Sequence, residues 1–341
     1  MASLGHSLAG TKPLRSRLLT HAIHCSEKST KSLRLWAIIA FCVATTALTG
    51  CSRGSARVEA QASVTPPLTY IGQWGAKGSG PGQLDDPACI TTDMLGNIYI
   101  ADDGSHFVHK FGPSGVPHLS FRDPALRAPQ SIAVDSGGAI YVTDASRGTV
   151  TIYLPSGIRL RSLRRNLRVN GENALNVAVD EDGRIYVFDS QIHRVLTYTS
   201  RFWLIREWQP AANVPNERVH LAAMTGSPDG SLYFADPQDD RILHFSGDGH
   251  FISEINAEAN GSARKLSDQI AASSQFVFAM DDNGRTVHVW AVDGTPKADV
   301  DLAPELGAGR RPAPPIAVSP RKELLVLDTP EGRVLRYRIN F

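Results

Sequence analysis

The stretch NVAVDEDGRIYVFDSQIHRVLTY, residues 176–198, decides the fold. Residues 176–180 read as a strand, and Glu181-Asp182-Gly183 as a tight turn in which glycine takes positive φ without strain. Residues 184–189 form a second strand, Ser190-Gln191-Ile192-His193 turns the chain, residues 194–198 return as a third strand, and residues 202–208 (FWLIREW) make a fourth. Strand, turn, strand is the only period that fits.

The same order recurs on both sides of this stretch. Second strands end in aspartate at Asp102, Asp144, Asp189, Asp236, Asp281 and Asp328, at intervals of 42, 45, 47, 45 and 47 residues. That spacing belongs to propeller blades of four short strands, and helical repeats do not produce it with this pattern. The repeat runs unbroken from about residue 68 to the end of the sequence, so the 341-residue chain reads as one ring rather than several domains.

Closure is legible at the two ends. The last repeat supplies strands at 315–318, 323–328 and 333–341 but no outer strand, while LTYIGQW at 68–74 is an outer strand without a blade. Pairing the two gives an all-β, six-bladed β-propeller of four-stranded antiparallel blades, with no exposed seam in the ring.

These residues resemble the NHL repeat, whose pattern runs roughly P-x-G-I-A-V-D-x-x-G-N-I-Y-V-A-D-x-x-N-H-R-I-Q-x-F. Residues 135–153 and 180–198 follow it, with His193-Arg194 at the family's His-Arg pair. The resemblance covers about residues 68–341 and weakens in the last two blades, where Ser273-Ser274-Gln275 and Pro320-Arg321-Lys322 replace the Asp-x-x-Gly turn. Blades there are expected to persist because the spacing is kept.

The first fifty residues are different in kind. They hold six Lys/Arg against Glu27 alone, and residues 35–48 (LWAIIAFCVATTAL) form an apolar run too short for a membrane span and suited to a signal-peptide core. Leu48-Thr49-Gly50-Cys51 follows at once and resembles the bacterial lipobox, which implies cleavage before Cys51 and a lipid on its thiol. Residues 1–50 are then a leader, and 51–67 a lipidated cysteine with a flexible tether that spans on the order of 20 to 25 Å. Ser52 resembles the outer-membrane sorting pattern, so the expected location is the bacterial cell envelope, with the domain facing the periplasm or the cell surface. Past the leader only Cys51 and Cys89 remain, which leaves no pair for a disulfide once Cys51 is acylated. Cys89, in an apolar strand, reads as a small buried side chain rather than a nucleophile.

Charge argues against nucleic acid as a partner. The chain carries +1 overall, and after residue 50 it has 29 basic and 33 acidic residues. The long connections from each outer strand to the next inner strand, with the turns between second and third strands, hold eleven basic and eight acidic side chains. Arg164, Arg165, Arg168, Arg218, His220, Arg264, Arg310 and Arg311 mark a candidate binding face there, suited to an envelope protein or an acidic glycan.

The six strand-end aspartates follow the symmetry of the repeat, and such side chains accept backbone N–H groups of the next turn without any ligand. Peptidylglycine-amidating lyases are six-bladed relatives that hold zinc with several histidines. Here His106 and His193 sit in repeat turns, His109, His244 and His288 in third strands, and His118 and His250 in outer strands, so only His220 lies where a funnel ligand is expected. Gluconolactonase-like propellers bind calcium through oxygen ligands, for which Asn176, Asp268 and Glu172 are candidates without a motif that groups them. No Gly-x-Ser-x-Gly elbow or phosphate loop is present, and no metal or cofactor is expected. The first reading is a non-catalytic binding or scaffolding module; the alternative is a metal-dependent lyase or lactone hydrolase in the central funnel.

Overall fold

The computed structural model describes residues 65–163, 175–214, 219–257, 264–307 and 312–341. They form six four-stranded antiparallel sheets. Blade one contains β2 (Pro87–Thr92), β3 (Ile98–Asp102), β4 (Phe107–Phe111) and β5 (Pro117–Arg122). Blade two contains β6 (Pro129–Val134), β7 (Ile140–Asp144), β8 (Thr149–Tyr153) and β9 (Arg159–Leu163); blade three contains β10 (Leu175–Val179), β11 (Ile185–Asp189), β12 (Arg194–Tyr198) and β13 (Leu204–Trp208). Blade four contains β14 (Ala223–Gly226), β15 (Leu232–Asp236), β16 (Arg241–Phe245) and β17 (Phe251–Asn256), and blade five β18 (Leu266–Ala272), β19 (Phe276–Asp281), β20 (Thr286–Ala291) and β21 (Pro296–Asp301).

The sixth blade takes β22 (Ile316–Ser319), β23 (Glu323–Asp328) and β24 (Arg333–Ile339) from the end of the chain and β1 (Leu68–Trp74) from its start, in the order β1-β24-β23-β22. Leu68 pairs with Ile339 and Trp74 with Val334, with a bulge between Tyr70 and Gly72. Gly75 then leaves the strand at φ +120, where a Cβ would stand 2.6 Å from the Gly332 carbonyl oxygen. Only glycine lets the chain turn away so close to its partner. Strand limits differ from the sequence expectation by one or two residues, and two short helical turns, Pro210–Ala212 and α1 (Ala303–Leu306), interrupt connections between blades. Each carries proline in its first turn, where the missing N–H costs nothing.

The core is a set of layers between neighbouring blades. Second strands β3, β7, β11 and β15 are buried at every residue. Alternation explains it: Tyr186 and Phe188 pack against blade four, while Ile185 and Val187 pack against blade two. A strand with sheets on both sides has no solvent face, hence the unbroken apolar runs. Outer strands such as β9 and β13 have only one packed face and carry exposed polar residues.

Turns between first and second strands explain the Asp-x-x-Gly signal. In blade one Asp93 Oδ1 accepts the Leu95 and Asn97 amides at 3.0 and 2.9 Å, Gly96 takes φ +81, and the Tyr99 hydroxyl donates to Asp93 Oδ2 at 3.1 Å. Tyr141 and Tyr186 reach Asp135 and Asp180 in the same way, each at 2.9 Å. Where the motif is lost, serine takes over. Ser273 Oγ accepts from Gln275 and Phe276, and Ser319 Oγ from Arg321. A hydroxyl supplies the acceptor the turn needs, so blades five and six form despite the changed letters.

Candidate functional site

Because neighbouring strands run antiparallel, the turns joining strands one to two and three to four gather at one end of the ring. The turns joining two to three, and the longer connections from blade to blade, gather at the other. The candidate face lies at that second end. Of its residues, His220 and Arg264 are placed; Arg164, Arg165, Arg168, Arg218, Arg310 and Arg311 lie outside the described residues, as do the calcium candidate Glu172 and Cys51.

His220 stands three residues before β14. Its Nδ1 is 3.7 Å from Asp239 Oδ2 in the turn after β15, and both side chains are about half exposed. Asp236, at the end of β15, is fully buried, and Arg241 at the start of β16 ties the group together. Arg241 Nε donates to Asp236 Oδ2 at 3.2 Å, Nη2 lies 3.5 Å from Asp239 Oδ2, and Nη1 3.3 Å from Glu254 Oε2 on the outer strand. Burial pushes the Asp236 carboxyl up, opposed by the His220 amide and the Arg241 guanidinium.

His220, Asp236 and Asp239 each offer a donor atom within 4.8 Å of the others, an imidazole and two carboxylates that could meet on a transition-metal ion. Arg241 already stands against both carboxylates, however, and a guanidinium at that distance supplies the positive charge a metal would bring. As folded, the cluster is a charge network with an exposed histidine at its edge. The sequence singled out His220 but missed Asp239, Arg241 and Glu254. Arg241 stands in blade four where Arg194 of the His-Arg pair stands in blade three.

Arg264 is also paired. Its Nη2 reaches Asp299 Oδ2 at 2.6 Å, and only 12% of the side chain is exposed. Asp299 Oδ1 lies 2.8 Å from His288 Nδ1, so one outer-strand carboxylate holds a loop arginine and a third-strand imidazole. Arg264 is therefore fixed against blade five rather than extended into solvent.

The strand-end aspartates bind the chain in a way the sequence showed only in part. Asp102 accepts the Ser105 amide of the following turn at 3.1 Å, and also the Asp85 and Asp86 amides of the incoming connection at 2.7 and 3.0 Å. Asp144 does the same with Arg147 and Arg127, at 3.1 and 2.7 Å. In blades four and six a guanidinium also stands against the carboxylate, Arg241 on Asp236 beside the His220 amide, and Arg333 on Asp328. These carboxylates fasten each long connection, or the first residue of the third strand, to the ring.

The remaining candidates are structural in their surroundings. Asn176 Oδ1 accepts the Met224 amide at 3.2 Å and joins two inner strands, and exposed Asp268 accepts from Gln269. His109 and His288 occupy equivalent places in β4 and β20, and His244 stands one place further along β16; each is buried, with Nδ1 facing an outer-strand partner: Ser120, Asp299 and Ser253 respectively. Burial lowers the His109 imidazole to about 4, against the pull of the Asp102 carboxylate. His250 lies one residue before β17, in the turn rather than the strand. Cys89 is partly exposed as a residue, yet burial of its thiol pushes the pKa up, which suits packing and not nucleophilic attack.

Residues 126–153 match the family model of the NHL repeat. They span blade two from its incoming connection to its third strand. A stretch of 138 residues is 27% identical to protein brain tumor of Drosophila melanogaster, covering 38% of this chain and 13% of that protein, so the chain matches only a small part of its curated relative. Among solved structures, a streptogramin B lyase superposes with a TM-score of 0.56 at 14% identity, over 80% of this chain and 98% of that one. Virginiamycin B lyase from Staphylococcus aureus gives 0.52 at 14% identity, over 80% and 89%. The β-propeller domain of Swd1 from Myceliophteria thermophila gives 0.55 at 11%, over 80% and 100%. Chains of unlike description fit equally well. At such identities the likeness shows the propeller fold alone.

Proposed function

We propose that this propeller is an exported, lipid-anchored binding module of the bacterial cell envelope, which captures a protein or an acidic glycan on its long-connection end. One observation carries the reading: the strand-end carboxylates that could have formed a polar site are committed to holding the connections in place, as at Asp102 and Asp144. A ring that fastens the base of its loops presents them as a platform, and binding residues sit on such loops more often than on the scaffold. The loops' sequences supply arginines suited to carboxylates and sulfates: Arg164, Arg165, Arg168, Arg218, Arg310 and Arg311.

Crosslinking in intact cells followed by detergent extraction identifies the captured partner. Replacing Arg164, Arg165 and Arg168 with alanine is expected to lower capture by about tenfold or more, and added salt to weaken the wild type in the same direction. Capture indifferent to both changes would remove the basic face from the proposal. The anchor is tested apart from this: Cys51→Ala is expected to abolish acylation, read by mass spectrometry of the amino-terminal peptide.

The donor set of His220, Asp236 and Asp239 favours a second reading, a metal-dependent lyase or lactone hydrolase. Metal analysis after dialysis separates the two. Stoichiometric zinc or calcium that is lost in His220→Ala would support the enzyme, and metal-free protein that still captures its partner supports the binding module.

A further inference from the structure

The two ends of the ring differ most in their exposed apolar side chains. Eleven large apolar residues are exposed among those described. Six stand in the turns between strands one and two or three and four, or directly before an outer strand: Met94, Leu95, Val116, Leu154, Ile158 and Trp203. The other five lie within the first three residues of an outer strand or at the carboxyl terminus. Because outer strands start at the end where the three-to-four turns lie, and β24 finishes there, all eleven belong to the tight-turn end.

The cluster is densest where blades two and three meet. Residues 154–161 (LPSGIRLR) put Leu154, Ile158 and Leu160 in solvent beside exposed Arg159 and Arg161. Arg161 reaches over to the Phe202 ring, 5.2 Å from its centroid, which brings the neighbouring turn with Trp203, 72% exposed, and Arg201 alongside. Aliphatic tips, one indole and a fringe of arginines are what a protein needs to rest in the headgroup layer of an anionic bilayer. Exposed acids stand in the same kinds of turn at Asp229, Asp248 and Asp293 of blades four and five and at Glu181 and Asp182 in the one-to-two turn of blade three, so the apolar and basic face centres on the three-to-four turns of blades two and three and extends to blade one through Met94, Leu95 and Val116.

The chain itself enters at this end. β1 starts here, and Asn340 fixes the entry by donating from its backbone to the Pro67 carbonyl at 3.0 Å and from its side chain to the Pro66 carbonyl at 2.7 Å. Cys51 is fifteen residues before Pro66 in the sequence. We infer that the tight-turn end of blades one to three docks on the surface of the membrane that holds the anchor, with Trp203, Leu154 and Ile158 in the interface and the long-connection end facing outward. This rests on the anchor proposed at Cys51. A tail at Cys51 brings this end to the lipid, and the exposed aliphatic and indole side chains hold it there.

The test uses the full chain reconstituted in vesicles of phosphatidylglycerol and phosphatidylethanolamine, with a protease site placed in the tether. After cutting, about half or more of the domain is expected to stay with the vesicles. Trp203→Ser combined with Leu154→Ser and Ile158→Ser is expected to lower the bound-to-free ratio about tenfold or more, with an unchanged melting temperature. Complete release of the wild-type domain overturns the inference, as does a released domain that sediments as a dimer with these side chains covered. Mass spectrometry of the cut amino-terminal peptide keeps the two readings apart: an acylated peptide with a released domain sinks the docking and spares the anchor, and an unacylated peptide with a retained domain does the reverse. Should the triple variant not fold, bromine-labelled lipids around the intact wild type decide. They are expected to quench Trp203 emission, and quenching no greater than in Trp203→Phe overturns the docking.

Discussion

The two ends of this propeller hold themselves together with the same side chain used in opposite ways. At the long-connection end, buried aspartates reach backward and forward along the chain, as Asp144 does to Arg127 and Arg147, and tie segments far apart in sequence. At the tight-turn end, half-buried aspartates such as Asp135 close a local turn and receive one tyrosine hydroxyl. The contrast teaches that the first end needs the finished ring, whereas the second is built from a few adjacent residues. It also explains why, among the described residues, the exposed large apolar side chains stand at the second: short turns leave little room to cover them.

Removing residues 68–74 attacks both ends together, since β1 supplies the outer strand that closes blade six. The seam contributes several kcal/mol through its cross-strand contacts, and the expected result is a melting temperature lowered by more than about 10 °C, or no cooperative melt at all. An unchanged melt would show that the ring does not depend on its closure.

Substitution at the two kinds of aspartate sharpens the comparison. Asp144→Ala leaves two amides and a serine hydroxyl without their acceptor in a buried place, and denaturant unfolding is expected to read a loss of about 2 to 4 kcal/mol. Asp135→Ala removes an acceptor that water can replace, and about 1 kcal/mol is expected. Equal losses would mean that the ends are not held differently.

Acid separates them by another route. His109 sits near the long-connection end, 3.9 Å from Asp102, with Arg122 also facing it, and burial holds its imidazole at about 4 in the folded chain. An unfolded histidine titrates near 6.5, so the unfolded state takes up the proton first. Its contribution is therefore complete above pH 6.5, falls as the pH drops, and is gone below about 4, a loss of roughly 3 kcal/mol. His109→Gln is expected to flatten the stability profile between those limits. A profile as steep as wild type would assign the acid sensitivity elsewhere, with His244 as the next group, since burial lowers it too.

Smallest in stability is the change at the exposed face. Trp203→Ser is expected to alter unfolding free energy by no more than about 0.5 kcal/mol, because the indole has few neighbours to lose. Its effect should appear only when a membrane is present.

Much of this was legible in the letters. The Asp-x-x-Gly turn, the Tyr three residues after it, and the unbroken apolar second strands each have local causes, so residues 176–198 announced a blade by themselves. Even the altered turns at Ser273 and Ser319 kept the spacing that made them readable, since the strands around them obey the same alternation. The candidate site was harder. His220 stood out by position, but its partners Asp239, Arg241 and Glu254 come from a turn, a third strand and an outer strand, and only pairing brings them to one place. Arg264 looked like a free loop charge until Asp299, 35 residues away, was found beside it.

Sequence by itself determined the number of blades, the order of strands and the way the ring closes, because each depends on a period repeated six times and on short-range turn chemistry. Tertiary structure alone decided which charges neutralise one another and which apolar side chains stay uncovered. The physical reason is range: a turn is settled within a few residues of backbone, whereas the pairing of His220 with Asp239, or the exposure of Trp203 beside Arg161, depends on where neighbouring blades place their edges.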